Sequence, residues 1–339
     1  MNIAFKSVYI EITDRCNLHC PYCFNNSKAS NTNDMSLELF EKITDECHEL
    51  GIKEITLSGG EPLISKNFSD IIKSLKQKDF DIKIITNGTL FDKEKYKLLK
   101  NLGCSFQLTF DSPNSESHDK TRGHGSYQKN IDLIKRFIED KIRFTVRFNI
   151  KDDIYFKPEE VVCLVKELSV TEFYFSYIKP IGRGKNEHTA SDSRILEIIN
   201  YIKENDLEKE FPNCLHGIHI DITDGCPFYN PKRVDFSPRI NSIGDVFPCS
   251  ICDVDELMLG NIKKQTLKEI SESEKLSSFI KKCQSRYSSF GKCSKCVIKG
   301  FCKRGCPVGA YLISKDFSGS DGYCSLRKAL FLRQTLYGR

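Results

Sequence analysis

What this 339-residue chain lacks narrows its class first. No apolar run approaches the ~20 residues needed to cross a bilayer, which argues against a membrane role. The opening MNIAFKSVYIEITDRC lacks a signal-peptide layout, because its apolar residues alternate with polar ones. A cytoplasmic location is the expectation. The formal charge is +5, yet no Lys/Arg block of about five or six residues appears, so nucleic acid is not an expected partner. A disulfide framework is also excluded, because sixteen cysteines in a reducing compartment point to metal ligation instead. The length suffices for one large domain with its own core plus a smaller one.

What is present begins with Cys16, Cys20 and Cys23 in CNLHCPYC, a C-x-x-x-C-x-x-C loop with no fourth cysteine beside it. A [4Fe–4S] cluster normally takes four thiolates. Three on one loop would hold such a cluster and leave one iron open to a non-protein ligand. Zinc competes for such a pattern, but it usually takes four ligands in two pairs. The nearest further cysteine, Cys47, lies in a helical stretch.

Behind that loop, strand and helix alternate. Strands are expected at 8–13, 54–58, 81–86, 105–110, 142–150 and 172–178. Helices follow: one ending at Gly51, one running to about 78, then 93–102, 126–140, 158–168 and 191–205. A full eight-fold barrel takes ~250 residues, so six units imply an α/β fold, a partial (β/α)6 TIM-like barrel. Chemistry in such barrels gathers on loops after the strands. There lie the cysteine loop, then Gly59-Gly60-Glu61-Pro62, then Thr86-Asn87-Gly88, then LTFDSPNSESHDKTRG, then KPIGRG.

With these loops in place, residues 8–205 resemble the radical S-adenosylmethionine (radical SAM) family. The resemblance implies that the open iron binds SAM and that an electron from the cluster cleaves it to a 5′-deoxyadenosyl radical. By the same resemblance Gly59, Gly60 and Glu61 hold the methionine amino group, and Tyr22 packs on adenine. Thr109 and Arg122 hold the methionine carboxylate, while Asn87 and residues 180–184 line the ribose side. His19 and His118 are read as solvated loop histidines. Cys47, Cys104 and Cys163 are read as small buried hydrophobes.

From about residue 214 the repeat gives way to a cysteine-rich tail: Cys214, Cys226, Cys249, Cys252, Cys283, Cys293, Cys296, Cys302, Cys306 and Cys324. Four of them form CSKCVIKGFCKRGC, and NSIGDVFPC reads as a hairpin turn at Gly244 leading to Cys249. Zinc again competes, since two paired cysteines resemble a ribbon. Together these features are similar to the SPASM domain, a cluster-binding extension of many radical SAM enzymes. The expected domains are therefore a radical SAM partial barrel over 1–205 and a SPASM-type iron–sulfur domain over 206–339. The resemblance assigns Cys226, Cys249 and Cys306 to one auxiliary [4Fe–4S] cluster, with Cys214, Cys252 or an open iron completing it. It assigns Cys293, Cys296, Cys302 and Cys324 to a second. Three such clusters would add about −1, −2 and −2, bringing the net charge to roughly zero.

Auxiliary clusters suit reactions that shed an electron from a substrate radical. The leading expectation is an enzyme that modifies a ribosomally made precursor peptide by crosslink, thioether or dehydrogenation. It would draw on an external flavodoxin- or ferredoxin-type donor. The chain begins almost at its first barrel strand, so leader recognition is expected to fall to a separate leader-binding protein or to the tail. Ser250 stands where the sulfatase-maturing branch has an aspartate base, which disfavours formylglycine formation. The competing expectation is a small-molecule substrate, a haem-pathway intermediate or a sugar-like metabolite. A non-catalytic iron–sulfur carrier is a third. No general base or hydrogen donor is legible.

Overall fold

Alternating strands, unlike the uniformly apolar ones usual in buried parallel sheets, organise the first two thirds of the chain. The computed structural model describes residues 2–186, 190–219, 226–286, 291–300, 302 and 304–337. The first seven strands are β1 (Asn2–Phe5), β2 (Val8–Glu11), β3 (Glu54–Ser58), β4 (Asp81–Ile85), β5 (Ser105–Phe110), β6 (Phe144–Ile150) and β7 (Phe173–Tyr177). From β2 to β7 they pair in chain order and all parallel. Helices Leu37–Glu49, Phe68–Leu75, Lys93–Leu102, Ser126–Glu139, Pro158–Glu167 and Asp192–Glu204 connect or follow them. The six expected strand–helix units are therefore all present. β7 ends the sheet without returning to β2, so the barrel is open.

Register explains the alternation. On one face Ile10 lies opposite Leu57, Leu57 opposite Ile84, Ile84 opposite Phe106, and Phe110 opposite Phe148. All of these are buried, and Phe106 stacks at 4.7 Å on Phe137 of an outer helix. The other face carries Tyr9, Glu11, Ser58, Gln107, Thr109, Arg147, Asn149 and Tyr174, because strand side chains alternate sides. The Tyr174 hydroxyl donates to Gln107 across it at 3.0 Å. The barrel thus has an apolar outside, covered by helices, and a polar inside.

The tail strands pair with the front of the chain, in a small two-stranded sheet and along the edge of the main one. Strands β8 (Arg233–Phe236), β9 (Arg239–Ile240), β10 (Asp245–Phe247) and β11 (Gly260–Asn261) follow. β8 pairs with β1, whereas β9 adds parallel to β2 and carries β10 and β11 as an antiparallel extension. The expected turn lies between β9 and β10, with Gly244 at φ +93°. An exposed edge of β2 would leave unpaired backbone groups, and β9 covers it.

Three details differ from the sequence reading. A short helix, Ser115–Arg122, occupies the loop after β5 and carries His118 inward; that histidine is fully buried, not solvated. His19 is exposed, as expected. Cys47 and Cys104 are buried, but Cys163 is exposed on its helix.

Candidate functional site

The cysteine loop is tied down at its base before any thiol is considered. Thr13 bridges to Asp34 and Arg15 to Lys28, and the Arg15–Asp34 ion pair closes at 3.1 Å. The glycine pair after β3 then docks on that base. Gly60 N donates to Thr13 O and Glu61 N to Arg15 O, both at 2.8 Å. A Cβ on Gly59 would sit 2.2 Å from Thr13 O, and one on Gly60 2.0 Å from Arg15 O. Only glycine permits this approach, so the glycines serve to seat Glu61 against the cysteine loop.

Glu61 is fully buried. Its carboxylate accepts from the Thr86 hydroxyl (2.8 Å), Asn87 N (2.7 Å) and Leu63 N (3.2 Å). Burial outweighs these donors and raises its pKa to about 7. Asn87, from the next loop, donates through Nδ2 to Asn17 at 2.9 Å and lies 3.9 Å from the Cys16 sulfur. Burial and the neighbouring Glu61 push the Cys16 thiol up to about 12. Burial also raises Cys20, opposed by the Arg122 and Arg183 guanidinium groups. Cys16 feels both Cys20 and Cys23, so the three thiols share one neighbourhood.

The KPIGRG loop grips this loop from behind. Arg183 Nε donates to Cys20 O and Nη2 to Ser27 O, each at 2.9 Å, and Arg183 N reaches Cys23 O at 3.0 Å. A Cβ on Gly182 would meet Phe24 O at 2.1 Å. Residues 182 and 183 thus hold the cysteine loop directly; a lining role at the ribose would come in addition.

Deeper in the barrel Asp111 is a hub that sequence reading did not single out. It accepts from the Tyr22 hydroxyl, from Thr121 (2.7 Å) and from Asn149 (2.8 Å), and it pairs with Arg122 at 3.4 Å. Arg122 also donates to Tyr22 Oη (3.2 Å) and to the carbonyl of Thr109 (3.1 Å), which is itself buried. Burial alone would raise Asp111; Arg122, His118 and the two hydroxyls prevail and hold it below its ordinary range. Asp111 and Asn149 were legible in principle as polar residues at or just past strand ends.

The rear cysteines gather into two sets. Cys226 interacts electrostatically with Cys306, Cys283 and Cys249. Cys293 does so with Cys324 and Cys302, and Cys296 N donates to Cys293 O at 3.2 Å in the same turn. Asp321 organises the Gly305–Cys306 segment: it accepts from Cys306 N at 3.0 Å and pairs with Arg327. Cys214 is not brought to either set. It packs against β7, its carbonyl accepting from Phe175 N at 2.8 Å, and the charges acting on its thiol are Glu208 and Lys203. Among the described residues no three Cys, His, Asp or Glu side chains converge as they would around a single ion. What the thiols share is a wider neighbourhood.

Front and rear meet at Arg239 on β9. Its guanidinium makes a two-point pair with Glu11 at 2.8 and 2.9 Å and reaches Asn25 (3.0 Å), Asp253 (2.9 Å) and Cys252 O (2.7 Å). Asn25 in turn donates to Glu11 (2.6 Å) and to Gly59 O (3.1 Å). One buried cation therefore ties the cysteine loop, the glycine loop, the first barrel strand and the tail together.

An open parallel (β/α)6 sheet with a three-cysteine loop after its first barrel strand and a cysteine-rich tail defines an α/β fold of the cluster-binding class. Residues 10–152 match the Radical SAM superfamily and residues 233–297 the SPASM iron–sulfur cluster-binding domain. The chain is a radical SAM enzyme with a SPASM domain. It is 26% identical over 303 residues to the antilisterial bacteriocin subtilosin biosynthesis protein AlbA of Bacillus subtilis (strain 168), covering 86% of this chain and 65% of that protein. It is 25% identical over 354 residues to the AdoMet-dependent heme synthase of Methanosarcina barkeri, covering 96% and 98%. Its fold is that of native anSMEcpe with bound AdoMet and Cp18Cys peptide, with a TM-score of 0.77 at 21% identity over 99% and 97% of the two chains. No helix among the described residues is long and apolar enough to cross a membrane.

Proposed function

We propose that this radical SAM enzyme oxidatively modifies a ribosomally made peptide, forming a crosslink, thioether or dehydrogenated residue. The observation that carries the proposal is the presence of two further thiol sets behind the front one, which suits a reaction with a net loss of two electrons. Its likeness to anSMEcpe along nearly the whole chain, with a peptide bound there, and its relation to AlbA support a peptide substrate.

In this reading Cys16, Cys20 and Cys23 hold a [4Fe–4S] cluster that, when occupied, supplies the electron for reductive cleavage of SAM. The thiols fit: they share one neighbourhood, and the cations Arg122 and Arg183 stand near Cys20. The raised pKa of Cys16 and Cys20 means that metal binding there must release protons. Glu61 accepts from the methionine ammonium, a charge-assisted bond suited to a buried site. Arg122 and Thr109 face the carboxylate, with Tyr22 and Asn87 toward the nucleoside. The Asp111 hub fixes the rotamers of Tyr22 and Arg122, and the helix-covered barrel excludes water. Cys293, Cys296, Cys302 and Cys324 hold one auxiliary cluster; Cys226, Cys249 and Cys306 hold most of another. A flavodoxin- or ferredoxin-type protein is the external electron donor.

The test is the mass of the short peptide encoded beside this gene, co-expressed anaerobically with and without the enzyme. A loss of about two mass units per modification is expected, since two hydrogens leave. An unchanged mass with 5′-deoxyadenosine still forming would overturn the peptide reading. It would favour the second one, a small-molecule substrate, which the full-length relation to a haem synthase supports.

A further inference from the structure

The first auxiliary thiol set needs a fourth ligand, for which the resemblance offers Cys214 or Cys252. Cys214 packs elsewhere. Cys252 feels Cys249 and Cys306, and its backbone carbonyl is held by Arg239. Cys283 feels the same two, and Cys226 in turn feels Cys283. Cys283 lies fully buried near the end of the helix Glu274–Ser285, on the same face as Phe279 one turn earlier. Phe279 packs edge-on at 4.9 Å against Phe228, two residues after Cys226. Gln284, the next residue, donates to Asn230 O at 3.1 Å. Arg286 donates to Arg304 O, also at 3.1 Å, two residues before Cys306. The helix end is thus pinned on one side to the segment bearing Cys226 and on the other to the segment bearing Cys306. Tyr229 feels Cys226, Cys283 and Cys306 together, and its hydroxyl donates to Gly305 O at 2.8 Å.

We infer that Cys283 is the fourth thiolate of the first auxiliary cluster, completing Cys226, Cys249 and Cys306 and leaving no iron open there. The inference rests on the iron–sulfur reading of the tail. Its consequence is functional: a fully ligated cluster takes an electron from the substrate radical without binding a substrate thiolate.

The experiment uses anaerobically reconstituted full-length protein, with Cys283→Ala, Cys283→Ser, Cys252→Ala and Cys214→Ala compared by iron content and by EPR of the reduced clusters. The parent should hold about twelve irons per chain. Cys283→Ala should fall toward about eight, or keep a cluster with an altered spectrum that added 2-mercaptoethanol restores, while Cys252→Ala and Cys214→Ala match the parent. Continued formation of 5′-deoxyadenosine shows that the variant has folded, and Cys283→Ser keeps the volume if the alanine variant does not. Parental iron and spectrum in both Cys283 variants, or the loss appearing in Cys252→Ala instead, would overturn the inference. A parent holding only zinc, or about four irons, would instead sink the iron–sulfur reading beneath it.

Discussion

The front and rear cysteine sets solve the same problem in opposite ways. The front three lie within one loop of eight residues, Cys16 to Cys23, and the rest of the barrel serves to hold that loop still. The glycine pair docks on its base, Arg183 grips its carbonyls, and Asn87 approaches one sulfur. The rear thiols come from segments scattered between Cys226 and Cys324, with little regular sheet between them. There the side chains of Asp321, Arg286 and Tyr229 bind backbone to backbone in place of strand ladders. A contiguous loop can keep its ligand spacing through small shifts of the fold, whereas a scattered set depends on every packing contact behind it.

The largest effect should separate the two sets outright. Cys20→Ala should abolish 5′-deoxyadenosine formation and leave the auxiliary iron largely in place, as chromatographic assay and iron analysis would read. Cleavage at the parental rate would refute the front assignment. Cys296→Ala should do the reverse, sparing some SAM cleavage while product formation stops.

Arg239 tests whether the sets are joined. Arg239→Met leaves Glu11 buried without its partner, which costs about 3–5 kcal/mol. A lower denaturation midpoint should accompany weaker SAM cleavage and perturbed auxiliary spectra together; an unchanged midpoint would mean the junction bears no strain.

The pH response sharpens the barrel side of the comparison. Burial, with Arg122 beside it, lowers His118 from its ordinary value of 6.5 to about 4. The folded form therefore resists protonation, so this stability is full above about 6.5 and is lost as pH falls toward 4. At pH 5 the loss is about 2 kcal/mol. His118→Gln should flatten that part of the stability profile in denaturant titrations at pH 7 and pH 5; a parallel loss in parent and variant would exclude His118 as its source.

Smallest is Arg183→Met. Removing two side-chain bonds from a loop still closed by its own base should slow SAM cleavage about tenfold, or ~1.4 kcal/mol, with iron retained. No change in rate would mean that the Arg15–Asp34 closure suffices alone.

The sequence by itself determined the six strand–helix units, the front loop and the four-cysteine run of the tail. Each rests on a period or a short spacing: the alternation of β5 and β6, the three-residue and two-residue gaps of CNLHCPYC, the run from Cys293 to Cys306. The tertiary structure alone decided what depends on contacts between distant segments. It placed Asp111 beneath Tyr22, made Arg239 the joint between tail and barrel, and brought Cys283 rather than Cys214 to the first rear set. It also showed that Gly59 and Gly60 are needed for the backbone of Thr13 and Arg15. Local periodicity reports which face of an element is buried; which element then arrives against that face is set by packing, and no short window of sequence contains both partners.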